Sequence, residues 1–199
     1  MSDSNLTKRM IAQTLKLLMR SQPFEKISVS DICNACEVSR KTFYYHFQDK
    51  FALTEWIFDT EVTAAIQKGG NTDRFSVLDS ICRYFYQERK FYADLFQYTG
   101  QNSFRQYFQE FMFQTLENYV LPATADSISS ARPASDGSDE LQMFFLHFVS
   151  DAILVSVFRW ITGGCTLPPD QFISRIRGVR DILTTHLQRE GLWDEGIRR

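Results

Sequence analysis

The fold is decided by one stretch, Ser39-Arg40-Lys41-Thr42-Phe43-Tyr44-Tyr45-His46-Phe47-Gln48-Asp49-Lys50. Ser39 is placed to cap a short helix, because a serine hydroxyl accepts one of the amides left unpaired at a helix start. Val38, Phe43 and Phe47 have the spacing to look inward. Arg40, Lys41, Thr42, Tyr44, Tyr45 and His46 then fill the remaining surface as a dense set of donors. Upstream, Val29 to Cys36 suits a helix of about two turns, and Glu37-Val38 forms the break between the two segments. Two short helices joined by a tight turn, the second rich in donors, have the layout of a helix-turn-helix whose second helix enters the DNA major groove.

The flanks support this. Residues 1–5 are polar and expected to fray. From Leu6 to Ser21, Met10, Ile11, Leu15, Leu17 and Leu18 recur with a helical period, and Pro23 closes the segment. Phe24 and Ile27 are expected in the core, and Ser28 is placed to cap the next helix with Asp31 as an imperfect capping-box partner. Downstream, Asp49 caps a connecting helix that begins at Lys50 and runs to about Ile66. The glycines in Lys68-Gly69-Gly70-Asn71-Thr72-Asp73 break the chain before the core of the second part.

Charge is distributed to match. The 199-residue chain has a formal net charge of −2, which argues against a surface that binds nucleic acid everywhere. Up to residue 55 there are 8 Lys and Arg against 6 Asp and Glu, and beyond it 14 against 18. A mildly basic head on an acidic body suits a protein that touches DNA at one end. No apolar run reaches bilayer length and the N-terminus has no signal-like segment, so a cytoplasmic protein without membrane contact is expected. Its cysteines are then expected reduced. Cys33 and Cys36 form a lone CxxC with no second pair to complete a metal site, and they read as core thiols. No cofactor or metal is expected. A glycine-rich phosphate loop, GxSxG and a paired-carboxylate metal site are all missing, so the chain reads as a non-enzyme.

The remainder reads as helices throughout. Leu78, Ile81, Cys82 and Phe85 line a helix from Phe75 to Glu88, and a short one follows over Lys90–Tyr98. Residues 103–120 carry Phe104, Phe108, Phe111, Thr115 and Tyr119 at three- and four-residue steps. Ala123–Ser138 has loop composition. A helix over Glu140–Ile161, apolar on most faces, ends at Gly163-Gly164. The last helix begins at Pro168-Pro169 and carries Phe172, Ile176, Val179, Leu183 and Leu187, with Ile173 and Ile182 widening the stripe. The fold class is all-α. Residues 1–50 are expected to form a three-helix DNA-binding domain with the helix-turn-helix, and residues 51–199 a second, helical domain.

From about Leu6 to Trp56, and above all in "TFYYHF" followed by Asp49-Lys50, the chain closely resembles the TetR-like transcriptional regulators. "LTEWIF", "FYADLF", "FRQYF" and "RWITGG" also resemble a branch that includes regulators of dihydroxyacetone kinase operons. The resemblance implies a homodimer built on segments 140–162 and 169–189, reading a pseudo-palindromic operator in double-stranded DNA. The bottom-up view agrees, since a helix apolar nearly all round needs cover on more than one side. It further implies a repressor released by a small-molecule effector, or, in the branch, a coactivator-type regulator governed by a protein partner. A helical interaction module that has lost operator binding is a third reading, motivated by Glu37, where the family usually has Gly. Operator contacts are expected from Ser39, Arg40, Lys41, Thr42, Tyr44, Tyr45, His46 and Lys50. Arg40 and Lys41, at the start of the reading helix, have the chemistry to bond guanine edges.

Pocket candidates are Phe85, Tyr92, Phe96, Phe108, Met112, Phe144 and Phe148, with Tyr98 and Trp160 as further rings. His147, Asp151 and Arg159 interrupt an apolar helix and are candidates to orient a ligand, or to meet across the dimer axis. His147 and Asp151, four apart, share a face and can pair.

Overall fold

The computed structural model describes residues 2–69, 76–100, 103–115 and 138–189. Regular structure among them is helical: α1 (Ser2–Leu18), a 3-10 turn (Phe24–Lys26), α2 (Val29–Ala35), α3 (Arg40–His46), α4 (Lys50–Gly69), α5 (Ser76–Gln87), α6 (Arg89–Gln97), α7 (104–115), α8 (Ser138–Thr162) and α9 (Pro169–Arg189). The all-α expectation holds. The expected break at 68–73 begins later, because α4 continues to Gly69, and the expected loop over 123–138 ends earlier, because α8 opens at Ser138; the rest of both, and the end of the 103–120 helix with Tyr119, lie outside the described residues.

In the head, α1 starts at Ser2 rather than Leu6, so the polar N-terminal residues extend the helix instead of fraying. Its inward stripe is narrower than the apolar pattern suggests. Ile11, Ala12 and Leu15 are buried, while Leu6, Met10 and Leu17 are exposed. Ile11, Ala12 and Leu15 pack with Phe24, Ile27, Ile32, Phe43 and Phe47 into the small core on which α2 and α3 rest. The capping is dictated locally. Ser28 forms a full capping box with Asp31, each side chain accepting the other's amide, so the sequence undersold this pair. The Ser28 hydrogen bonds hold the Asp31 carboxyl below its ordinary value.

Between α2 and α3, Glu37 adopts a φ of 55°. The turn therefore keeps the left-handed conformation that favours Gly, with a glutamate in the strained position. Such a conformation costs a residue with a Cβ about 1–2 kcal/mol, part of which a glycine forfeits through its freer unfolded chain. Glu37→Gly is accordingly expected to raise stability by about 0.5–1 kcal/mol, read as a higher thermal midpoint. An unchanged or lowered midpoint would show that the turn is not under strain.

The body is organised on α4, which runs unbroken out of the head. Phe58 of α4 is fully buried at the centre of an aromatic cluster with Phe85 of α5, Tyr92 of α6 and Phe104, Tyr107, Phe108 and Phe111 of α7. Edge-to-face geometry dominates, as the quadrupoles of neighbouring rings require. α8 supplies Leu154, Val157 and Ile161 to the same interior, and α9 adds Phe172 and Ile173. Trp160 stacks on Phe172 at 4.4 Å and donates its indole N–H to the Leu167 carbonyl. α9 is tied to α5 by Arg177 on Asp79 at 2.6 Å and by the more exposed pair Arg83 and Asp170. Gly164, at φ 80°, supplies the left-handed step that ends α8.

Candidate nucleic-acid interface

The reading helix is placed by its two ends. At the start, Ser39 Oγ accepts the Thr42 N–H at 3.0 Å and lies 2.8 Å from Thr42 Oγ1. These two residues thus spend much of their bonding capacity on the cap. At the far end, Phe47 N–H closes onto the Phe43 carbonyl, and Asp49 Oδ1 accepts the amides of Phe51 and Ala52 at 2.8 Å each. Phe43 and Phe47 turn inward at 0 and 4 % exposure. The opposite face is therefore committed to polar groups. Arg40 and Lys41 are exposed, Tyr44 is 49 % exposed and Tyr45 is 81 % exposed. The Arg40 guanidinium lies 3.4 Å from the Tyr44 hydroxyl and over its ring, and the Tyr45 ring meets His46 edge-on at 5.0 Å. His46 is half-buried. Beside this face, Lys8 of α1 rests over the rings of Phe47 and Trp56.

Lys50 departs from the set. Sequence places it among the outward donors, but its ammonium turns back to the 3-10 turn. It donates to the carbonyls of Phe24 (2.8 Å), Glu25 (3.2 Å) and Ile27 (2.7 Å) and lies 4.4 Å from the Phe24 ring centroid. A helical turn leaves its last carbonyls without partners, and a flexible ammonium with three protons suits them. Burial pulls the Lys50 ammonium below the ordinary lysine value, with Glu25 acting the other way.

The body candidates separate into a buried group and an exposed one. Phe85, Tyr92, Phe96, Phe108 and Met112 are all buried and lie within the ring cluster. Phe144 (67 % exposed), Phe148 (58 % exposed), His147, Asp151 and Arg159 instead lie on the outer side of α8. Phe144 and Phe148, pocket candidates by sequence, are thus exposed, and His147, Asp151 and Arg159, left open by sequence between a pocket and the dimer axis, stand on the same outer side. α8 is apolar on nearly every face, so periodicity leaves its orientation open until α6 and α7 pack against it. His147 stacks on Phe113 of α7 at 4.3 Å, and Asp151 accepts from Gln109 of α7 at 3.1 Å, so each bonds to the neighbouring helix. Tyr98 leaves the interior too, packing on Phe24 and Phe51 at the junction with the head.

Sequence reasoning missed two polar features. Ser150, on the inward side of α8, is buried with a hydroxyl that has no hydrogen-bond partner among the described residues. A chain of bonds also runs from Lys16 through Glu61 (2.6 Å) and Tyr84 (2.8 Å) to Tyr92 (2.6 Å). Burial pushes both phenols up, keeping them neutral donors. The helical phase of Ser150 against Leu154, Val157 and Ile161 was the available signal for the first; nothing in sequence signals the second.

Comparison with known proteins agrees with the geometry. Residues 11–55 match the family model described as bacterial regulatory proteins, tetR family, and residues 73–180 match that of a transcriptional regulator C-terminal region. A dhaKLM operon transcriptional activator, DhaS, of Lactococcus lactis subsp. lactis (strain IL1403) is 34 % identical over 99 residues. That match covers 48 % of this chain, and the chain spans about half (52 %) of the relative's length. The solved structure of a dihydroxyacetone kinase operon activator DhaS superposes with a TM-score of 0.63 at 25 % identity, covering 87 % of this chain and 93 % of that one. A TetR transcriptional regulator from Streptococcus agalactiae 2603V shares the fold, with a TM-score of 0.59 at 19 % identity over 87 % of this chain and 94 % of that one. With a helix-turn-helix head, a helical body and family matches across both, the chain belongs to the TetR family of transcriptional regulators.

Proposed function

We propose that the chain acts in the cytoplasm as a homodimeric regulator that binds a pseudo-palindromic operator through α3, and is not an enzyme. The observation that carries this reading is the outer face of α3, where Arg40, Lys41, Tyr44 and Tyr45 are exposed over a reader whose core and caps are complete. Arg40 and Lys41 have the donors for guanine O6 and N7, and the tyrosines suit sugar, thymine methyl and phosphate. Ser39, Thr42 and His46 contribute from the helix ends. A second copy would cover the apolar residues left outside on α8 and α9: Phe144, Phe148, Val155, Val179 and Ile182.

For control, the buried rings and a Ser150 hydroxyl with no partner among the described residues favour an uncharged, largely apolar effector that accepts or donates one hydrogen bond. On this reading the effector releases a repressor from its operator. A protein partner is the second reading, favoured because His147, Asp151 and Arg159 stand outside the body. The L. lactis relative is named an activator, which is compatible with that alternative.

Footprinting on the DNA upstream of its own gene is expected to show a two-fold-symmetric protected site. Fluorescence anisotropy should then show Arg40→Ala and Tyr45→Ala each weakening that site by about tenfold or more, since one base contact contributes about 1–3 kcal/mol. No symmetric footprint, or wild-type affinity in both variants, would overturn the reading.

A further inference from the structure

The short helix α6 carries one face that belongs to the head. Glu88 at its start places a carboxylate oxygen 3.2 Å from Lys16 Nζ of α1, and the same ammonium lies 5.3 Å from the centre of the Phe91 ring. Asp94 Oδ2 accepts the backbone N–H of Phe24 at 2.7 Å. Tyr98, just past the helix, sets its ring 5.8 Å from Phe24 and 5.4 Å from Phe51. Positions 88, 91, 94 and 98 follow steps of three, three and four, which is one side of a helix. The other side, through Tyr92 and Phe96, is sunk in the body against Phe85, Phe108 and Phe158.

Asp94 has a specific task on that face. Phe24 opens the 3-10 turn of the head, and the residue before it is Pro23, which has no side-chain acceptor and makes no cap. The first amides of a helical turn are orphans that need an acceptor, and a carboxylate at that end is favoured by the local dipole. The acceptor here comes from the body. The carbonyl end of the same turn is held by Lys50, the first residue of α4, immediately after the reading helix. The turn is thus gripped at both ends, once by the body and once by the link to the reader.

We propose that Asp94 is a positioning residue for operator binding. By capping the head's 3-10 turn from α6, it fixes the angle at which the head, and α3 with it, stands on the body, so both heads of a dimer reach their half-sites already aligned. Preorganisation of this kind raises affinity by removing an ordering cost from binding. It matters where two sites must be met at once and not where one head binds alone. The inference rests on the operator-binding reading above.

The test uses the full-length protein on three duplexes: the footprinted operator, a single half-site and a scrambled sequence. Asp94→Ala is expected to lose about five- to tenfold on the operator while binding the half-site and scrambled duplexes as wild type does. Asp94→Asn, whose amide oxygen still accepts, should stay within about twofold of wild type on the operator. If Asp94→Ala fails to fold, Asp94→Ser, too short to reach the Phe24 amide, reads the same contrast. Operator affinity unchanged in the capless variant would overturn the inference. So would an equal loss on the half-site, which would mean the reader itself had deformed. A wild-type protein without a symmetric footprint would instead defeat the operator reading.

Discussion

Phe58→Ala is expected to destabilise the protein by about 3–5 kcal/mol, the range for removing a fully buried ring from a packed core. The side chain has no exposed surface and meets six other rings contributed by three further helices, at centroid distances from 4.8 to 6.3 Å. Alanine leaves those rings facing a void, and stiff aromatic side chains close into a void poorly. Against a total stability of about 5–15 kcal/mol, the loss removes a large share of the margin. Urea denaturation at fixed protomer concentration reads it as a lower midpoint with unchanged slope. Phe58→Leu should recover part of the loss, because it restores volume without edge-to-face geometry. A cost below about 1 kcal/mol for the alanine variant would mean that Phe85, Phe108 and Phe111 collapse into the space, and that the cluster is loosely packed.

What the sequence made legible was local. The caps at Ser28, Ser39 and Asp49 follow from a side-chain acceptor two or three residues before the amides it serves. Phe43 and Phe47 inside and Tyr45 outside follow from helical period on a helix of seven residues. The left-handed turn was marked by Glu37 standing where the family usually has glycine, and the structure keeps the conformation with the unfavourable residue.

What stayed hidden depends on partners distant in sequence. Lys50 bonds carbonyls 23 to 26 positions upstream, and Asp94 bonds an amide 70 positions away. Neither contact has a local signature; a lone lysine after a cap and a lone aspartate on a short helix read as solvated charges. For α8 the difficulty was too much apolar surface. A helix with so weak a polar face gives no phase, so sequence could not say whether His147, Asp151 and Arg159 faced the rings or the outside. α5 and α6 pack on α8, whose Leu154 and Val157 are buried, while the three polar residues stay exposed.

Lys50→Met separates two roles that sequence alone confuses. The methionine keeps most of the stem and removes the ammonium, leaving the carbonyls of Phe24, Glu25 and Ile27 without their shared donor. Hydrogen bonds from a charged donor contribute about 1.5–3 kcal/mol each, but water recovers part of that at a half-exposed site. The expected loss is therefore about 2–3 kcal/mol in all. It should appear as a lower thermal midpoint and faster amide exchange in the 3-10 turn and α3. Lys50→Arg should not rescue it, because a planar guanidinium spreads its donors in a fork while the three carbonyls converge on one point. A lysine that served mainly on DNA would behave differently. Stability would then be unchanged, affinity would fall on all duplexes alike, and the slope of log affinity against log salt would drop by about one phosphate contact. The bonds to the 3-10 turn favour the first pattern: a destabilised head, with operator affinity falling because the reading helix is no longer held.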